Sequence, residues 1–484
     1  MKKPLSLVTV ILLALSLMSC GSKPQEVTAF TDVSLVPMTS ETVIEHQTVL
    51  IERARIVAVG DSDALSIPEG AQVIDGNGAY LMPGLADMHM HTRLDWKNRG
   101  IWPVHPLHLY LANGVTTVRD FAPQGTPLTY ALHWREEIRA GTRIGPTIYA
   151  SGKLLYASPL GDADGMVRRN QELGFDFLKI YSYLSPEDFQ TAMRTAQDLG
   201  MYTSGHIPYA IGLEGVLREG MDEVAHVEEL LTELIHFDRD RSLTAEEWLP
   251  YVIEAALAQW DLASSSIQVD IETQNAETLT RISDRLRSAD VPVCTTMVID
   301  DVIQGKLFHL AEFTSRPENR FLPVAYRESL EQGEEKHQVQ FRGIEVLAVV
   351  KYDIDRWLLD GLHKGGVLLL LGTDAGTGGM GIVPGCSLHD ELRILVENGF
   401  TPYEAIATGT VNAGMVAERM TGEGDFGTIE EGKRADFLLV ADNPLEDVAV
   451  LRTPLGVMAA GRWYSAEALE QLVALPDSGR EKGE

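Results

Sequence analysis

Short β-rich runs broken by turns occupy both ends of the chain, and apolar strands alternating with longer helical stretches fill the middle. From Val27 to Leu81 the runs are Val33-Ser34-Leu35-Val36, Thr48-Val49-Leu50-Ile51, Arg55 to Gly60 and Ala71 to Asp75, a pattern that predicts a small antiparallel β unit. After Pro83-Gly84 the texture changes to Val115-Thr116-Thr117-Val118, Phe177-Leu178-Lys179-Ile180, Met201-Tyr202-Thr203-Ser204 and Val367 to Leu371, with helical stretches between them. Strands alternating with helices predict parallel βαβ units. Between Leu230 and Ser288, and again from Phe308 to Tyr352, polar helix-compatible stretches dominate and read as elaborations on a barrel. Gly427-Thr428-Ile429, Ala435 to Val440 and Leu455 to Ala459 return to short strands, so the two ends are expected to pair into one small domain. No internal repeat is visible.

The extreme N-terminus follows a different logic. Lys2 and Lys3 precede an apolar run from Leu5 to Met18, closed by Leu17-Met18-Ser19-Cys20. A positive start, a short apolar run and a small residue at the cut predict a signal peptide, and the run is too short for a span of roughly 20 residues. Leu17 and Ser19 before Cys20 resemble the lipobox of bacterial lipoproteins, which implies acylation of Cys20 and tethering to a membrane. Gly21 after the cysteine favours an outer-membrane location facing the periplasm. The expected organisation is a signal peptide over 1–19, a tether over 20–27, β-sandwich segments over 28–83 and 425–470, a barrel over 84–424 and a tail over 471–484.

Removing 19 residues from 484 leaves 465, enough for a large core. With 70 acidic and 40 basic residues the formal charge is −30, and it becomes −32 without Lys2 and Lys3. Such a surface argues against nucleic acid and anionic lipid as partners, so the membrane contact expected is through the lipid alone. Beyond Cys20 only Cys294 and Cys386 remain, which excludes a disulfide framework and a zinc knuckle but leaves a single bridge open.

The candidate chemistry begins at His89-Met90-His91, directly after an apolar run. On a strand, residues i and i+2 face the same way, so both imidazoles are directed to one point. Lys179, His206, His226 and Asp374 each stand at or near the end of a predicted strand. In an α/β barrel the strand C-termini open on one face, so these polar groups converge there. Imidazole and carboxylate suit zinc and similar divalent ions. His105, His108 and His133 read as solvated or helix-face residues, Arg119-Asp120 as an internal ion pair, and Tyr181 and Tyr183 as pocket lining. The glycines from Gly376 to Gly385 suggest a mobile loop, and Cys386 and His389 after it acquire no role.

Taken with Pro83 to His91, these pieces resemble the amidohydrolase superfamily over nearly the whole mature chain, closest to its imidazolonepropionase-related and prolidase-like branch. The matching segments are Gly114 to Asp120, Phe177 to Tyr181, Gly205-His206-Ile207-Pro208, Gly372 to Gly376 and Gly427 to Asp436. The resemblance implies a (β/α)8 TIM barrel with a β-sandwich built from both termini. It also implies that His89, His91 and Asp374 hold one metal, that His206 and His226 hold a second, and that Lys179, carboxylated on its amine, bridges two ions, zinc by expectation. A buried ion pair of Lys179 with Asp374 is the alternative, and it goes with a single metal. Ions about 3.5–4 Å apart acidify a shared water and polarise a carbonyl. Asp374 would serve as general base and then protonate a departing amine.

The expected reaction is hydrolysis of an amide-type C–N bond in a small molecule: a dipeptide, an N-acyl amino acid or a cyclic amide. A metal-dependent deaminase on the same fold is the nearest rival, disfavoured because Ile207-Pro208-Tyr209 follows His206 and Lys179 is present. A non-catalytic surface binding protein is the rival from another class. Fold alone does not choose between them, and self-association is compatible with all three.

Overall fold

The computed structural model describes residues 27–92, 95–96, 100–121, 128–376 and 380–475. The signal segment, Cys20 and the tail from Pro476 lie outside the described residues.

Five strands open the chain: β1 (Val27–Leu35), β2 (Ile44–Glu52), β3 (Arg55–Asp61), β4 (Gln72–Asp75) and β5 (Tyr80–Pro83). β2 runs antiparallel to β1 and β3, but β4 and β5 both lie parallel to β1, so the unit expected to be antiparallel is a mixed sheet. Length explains it: β1 is long enough to pair with β4 at Thr28–Thr31 and with β5 at Ser34–Leu35. A register shift lies between those two stretches, where Asp32 takes φ 49°.

The central strands are β6 (Leu85–Met90), β7 (Asp95–Trp96), β8 (Gly100–Ile101), β9 (Val115–Asp120), β10 (Thr147–Ala150), β11 (Leu155–Ala157), β12 (Phe177–Tyr183), β13 (Tyr202–Gly205), β14 (Glu223–Val224), β15 (Val293–Cys294) and β16 (Leu369–Leu370). Apart from the small β7–β8 hairpin they are parallel, with helices between most of them, as the alternating texture requires. Every residue of β6 and β9 is buried, the mark of parallel strands covered on both faces. The ladders form two sheets, β10-β9-β6 and β11 through β16 in chain order, and not one continuous ring. Single parallel bridges join the sheets, Met90 of β6 to Ala375 after β16, and Ser151 after β10 to Phe177 of β12, past β11. With β14, β15 and β16 only two residues each, pairing persists over just a short stretch of each strand.

The chain ends in β17 (Phe437–Val440), β18 (Gly456–Ala459) and β19 (Arg462–Ser465). β17 pairs with β5, so the two ends share one eight-stranded sheet in the order β19-β18-β17-β5-β1-β2-β3, with β4 on β1. Phe30, Val49, Leu81, Phe437 and Met458 form its common core. Gly427-Thr428-Ile429, expected as a strand, is an irregular connection: Gly427 takes φ 93° and Ile429 N donates to Pro37 O at 3.0 Å. The two polar regions are helical as expected, including Ala245–Gln259, Ile267–Ser288 and Glu345–Lys364, and a further helix, Val298–Phe308, lies between them. Among the described residues, no helix is long and apolar enough to cross a membrane.

Candidate metal centre

His89 lies inside β6 and His91 just beyond it, and both rings reach the same carboxylate. Nε2 of His89 stands 3.4 Å and Nε2 of His91 2.9 Å from Asp374 Oδ1. Asp374 arrives from the loop after β16, tied back to β6 by its own amide, which donates to His89 O at 2.7 Å. It holds φ 57° there, a conformation non-glycine residues rarely take. Two residues on, Gly376 is forced, because a Cβ at that position would sit 1.7 Å from His91 O.

Ligand atoms of His89, His226 and Asp374 lie within 4.8 Å of one another, and these three are largely buried, unlike the exposed group His46, Asp61 and Asp63 that meets the same distance. His226, whose sequence context is undistinguished, is therefore central. Its Nδ1 is bonded to Thr296 Oγ1 at 2.9 Å, and His89 Nδ1 to Ala225 O at 3.3 Å. Each contact fixes a ring and leaves the other nitrogen for a metal. His206 follows β13, its ring centroid 4.8 Å from that of His226, and its Nδ1 bonds Glu229 Oε1. Glu229 also accepts from Ile207 N at 2.9 Å, which pins the turn that carries His206.

Lys179 is the third residue of β12, within the strand and not at its end. It is 2 % exposed, and its Nζ has no hydrogen-bond partner, lying 4.7 Å from the centroid of Phe121. Burial lowers its pKa to about 8 against the opposing pull of Asp374, Glu229 and Glu223. Burial likewise drives His89 and His226 well below the usual imidazole range, helped by neighbouring cationic groups. Burial would raise the Asp374 carboxyl, but the His91 hydrogen bond and the surrounding positive groups prevail and hold it at about 2. Neutral imidazoles and an ionised carboxylate are the forms that ligate metal. The buried His89 Nε2, facing Asp374 Oδ1 at 3.4 Å, and the buried Lys179 Nζ, without a hydrogen-bond partner among the described residues, fit such a group.

Several supporting residues had no role assigned from sequence. Phe121 stacks on His89 with centroids 3.8 Å apart. Asp87 accepts from Thr373 Oγ1 at 2.6 Å and from the amides of His89 and Thr373, coupling β6 to the loop of Asp374. Arg119 pairs with Glu223, both fully buried, and not with Asp120; Tyr202 and Ser204 donate to the same carboxylate. Adjacent positions on one strand face opposite sides, which is why the expected Arg119–Asp120 pair does not form. Asp87 and Arg119 sit in recognisable strand-end segments, whereas nothing near Glu229 or Thr296 marks either residue in sequence.

Beside these groups opens a cavity of about 640 Å³, lined by Tyr181, Tyr183, His91, His206, His226, Lys179 and Asp374 among others. Tyr181 packs on His206 at 4.2 Å between centroids, and Tyr156 joins the two tyrosines. His105 caps a helix through Leu107 N and His133 is exposed, in keeping with structural readings. His389 bonds Asn113 O at 3.0 Å, and the Cys294 and Cys386 thiols are both free.

The parallel strands and the loops after them bring together a His/His/Asp group whose chemistry suits a divalent ion. The amidohydrolase family model matches residues 356–464. Ochratoxinase of Aspergillus niger is 26% identical over 413 residues, covering 78% of this chain and 73% of its own length. Its crystal structure superposes with a TM-score of 0.61 at 18% identity, over 91% of this chain and 96% of the other. A bottromycin amidohydrolase gives a TM-score of 0.64 at 20% identity, covering 92% and 88%, and a Xaa-Pro dipeptidase 0.61 at 19%, covering 91% and 100%. These structures share the fold. Together with the family match they support the amidohydrolase superfamily and an enzyme acting on C–N bonds.

Proposed function

We propose that the chain hydrolyses an amide bond in a dipeptide, an N-acyl amino acid or a cyclic amide, using two divalent ions bridged by carboxylated Lys179. The observation that carries this reading is the buried Lys179 Nζ, without a hydrogen-bond partner among the described residues, lining the same cavity as His91, His206, His226 and Asp374. Carboxylation joins the neutral amine to CO₂ with loss of one proton, and the lowered lysine pKa makes that amine available near neutral pH. His89, His91 and Asp374 would hold one ion, His206 and His226 the other, zinc being suited to this donor set. When bound, the ions supply an acidified water and polarise the scissile carbonyl. Asp374, kept ionised, takes the proton from the attacking water and delivers it to the departing amine nitrogen. Glu229 and Thr296 hold two of the imidazoles in place for this. The two bridges support closure of β6, β9, β10 and β12 through β16 into an eight-stranded barrel, with β11 outside the ring and the ligands on the C-terminal face.

The test is elemental analysis and intact mass of the purified protein, beside a screen of N-acyl amino acids and dipeptides. Two equivalents of metal, with bicarbonate-dependent activity that Lys179→Ala abolishes, are expected. One equivalent with activity indifferent to Lys179 overturns the bridged centre, and metal-loaded protein inert on every amide overturns hydrolysis.

A further inference from the structure

The cavity beside the metal centre is far from uniform. The ligand-type residues and tyrosines line part of it; the rest of the wall includes helix Ala245–Gln259 of the first polar region, helix Val298–Phe308 between the two regions, and residues from 336 to 351. Helix Ala245–Gln259 presents Leu249, Val252, Ile253 and Ala256, spaced i, i+3, i+4 and i+7, so that one continuous stripe faces the cavity. Helix Val298–Phe308 presents Ile299 and Ile303, one turn apart. Such stripes ordinarily cover one another in a core, whereas these line a chamber continuous with the site.

Two further observations limit what enters. Lys351, the buried ammonium on this wall, already contacts Glu228 Oε2 at 2.8 Å, Asp300 Oδ1 at 2.6 Å and Asp355 Oδ2 at 2.6 Å. Three carboxylates more than neutralise it, so it offers no counter-charge to a substrate carboxylate, and Lys336 stands exposed at the margin. Size gives the second limit. At roughly 30 Å³ per water-sized group, about 640 Å³ holds about twenty such groups, where a dipeptide of two small residues brings only about a dozen.

We propose that the substrate is an amide bearing one large apolar arm, an extended acyl chain or an aromatic group, which the chamber walled by residues 249–256 and 299–303 receives while the amide lies at the metal centre. This rests on the amide-hydrolase reading above and names its substrate class. Ala256 is the smallest side chain of the stripe and stands at its C-terminal end, so a large residue there would take up room in the chamber.

The experiment measures kcat/KM of the full chain on two homologous series. In one the acyl group of an N-acyl alanine grows from acetyl to decanoyl; in the other the acetyl group is constant and the amino-acid side chain grows from methyl to octyl and benzyl. In the series whose arm occupies the chamber, kcat/KM rises about two- to fourfold per methylene. The series that rises identifies which side of the amide carries the arm. Ala256→Phe is expected to lower the ratio of decanoyl to acetyl activity at least about tenfold, and Leu249→Asp, at a half-exposed position that tolerates charge, to lower it in the same direction.

Flat or falling profiles in both series, in protein whose activity depends on metal and Lys179, overturn the apolar arm and leave amide hydrolysis standing. Calorimetry of the same acyl alanines with Asp374→Asn protein reads the chamber without turnover. Affinity rising with chain length supports the arm even if no amide is cleaved, and affinity independent of length overturns it.

Discussion

The floor of the cavity and its outer wall are built on opposite principles. The floor is carried by strands and their ends, and its imidazoles are held by second buried groups at three positions: His89 by Ala225 O and Phe121, His226 by Thr296, His206 by Glu229. The wall is carried by helices inserted between strands, and its apolar side chains make no directional contacts. A metal site needs its donors held within a fraction of an ångström, which directional bonds on rigid strands provide. An apolar arm needs only complementary volume, which helix faces supply and which can vary without disturbing the floor. The division predicts that chemistry and specificity respond to different substitutions.

The sharpest test of that division is on the floor. Asp374→Ala should lower kcat by about 10²–10⁴-fold on every amide substrate alike, whatever the arm. A loss confined to long-armed substrates would break the comparison. Next in size, Arg119→Ala should destabilise the protein by about 3–5 kcal/mol, because it leaves the Glu223 carboxylate buried without its counter-ion. Equilibrium urea unfolding reads this, and an Arg119→Met, Glu223→Leu double variant should recover most of the loss.

A pH experiment probes the seam between floor and wall. Glu391 accepts from Met297 N and Val298 N, at the start of the helix that presents Ile299 and Ile303. Burial raises its carboxyl from 4.5 to about 7 despite those hydrogen bonds. The folded protein therefore keeps a proton that the unfolded chain releases above about 4.5, and this contribution to stability is lost as pH rises through about 7. Unfolding free energies at pH 4.5 and pH 8 should show a fall of about 2–4 kcal/mol attributable to this group, absent in Glu391→Gln. Equal pH slopes in the two proteins would contradict it. The smallest effect expected is at Glu229: Glu229→Gln should weaken metal binding by about 10–100-fold, read by competition with a chelator, with the chain-length profile unaltered.

Much of the floor was legible in the residues themselves. His89-Met90-His91 needs only the two-residue period of a strand to aim both rings together, and Gly372-Thr373-Asp374-Ala375-Gly376 marks a tight strand-end loop. Local geometry sets both, so local sequence reports them. Other features depend on partners distant in the chain. The N-terminal unit, including the run of β4, reads as antiparallel, yet β4 and β5 lie parallel to β1 because one long strand accommodates two partners. Arg119 reads as a partner for its neighbour Asp120, but strand alternation sends it across the core to Glu223, 104 positions away.

Sequence by itself determined the alternation of strands and helices, the joining of the two β-rich ends and the residues able to ligate metal, because periodicity and residue chemistry are properties of short segments. Only the tertiary structure decided that His226 stands together with His89 and Asp374, that Glu229 and Thr296 orient two imidazoles, and that apolar faces of two inserted helices line a chamber. Each of those follows from packing between segments far apart in the chain, where the pairing is chosen by the shape and burial of the whole core.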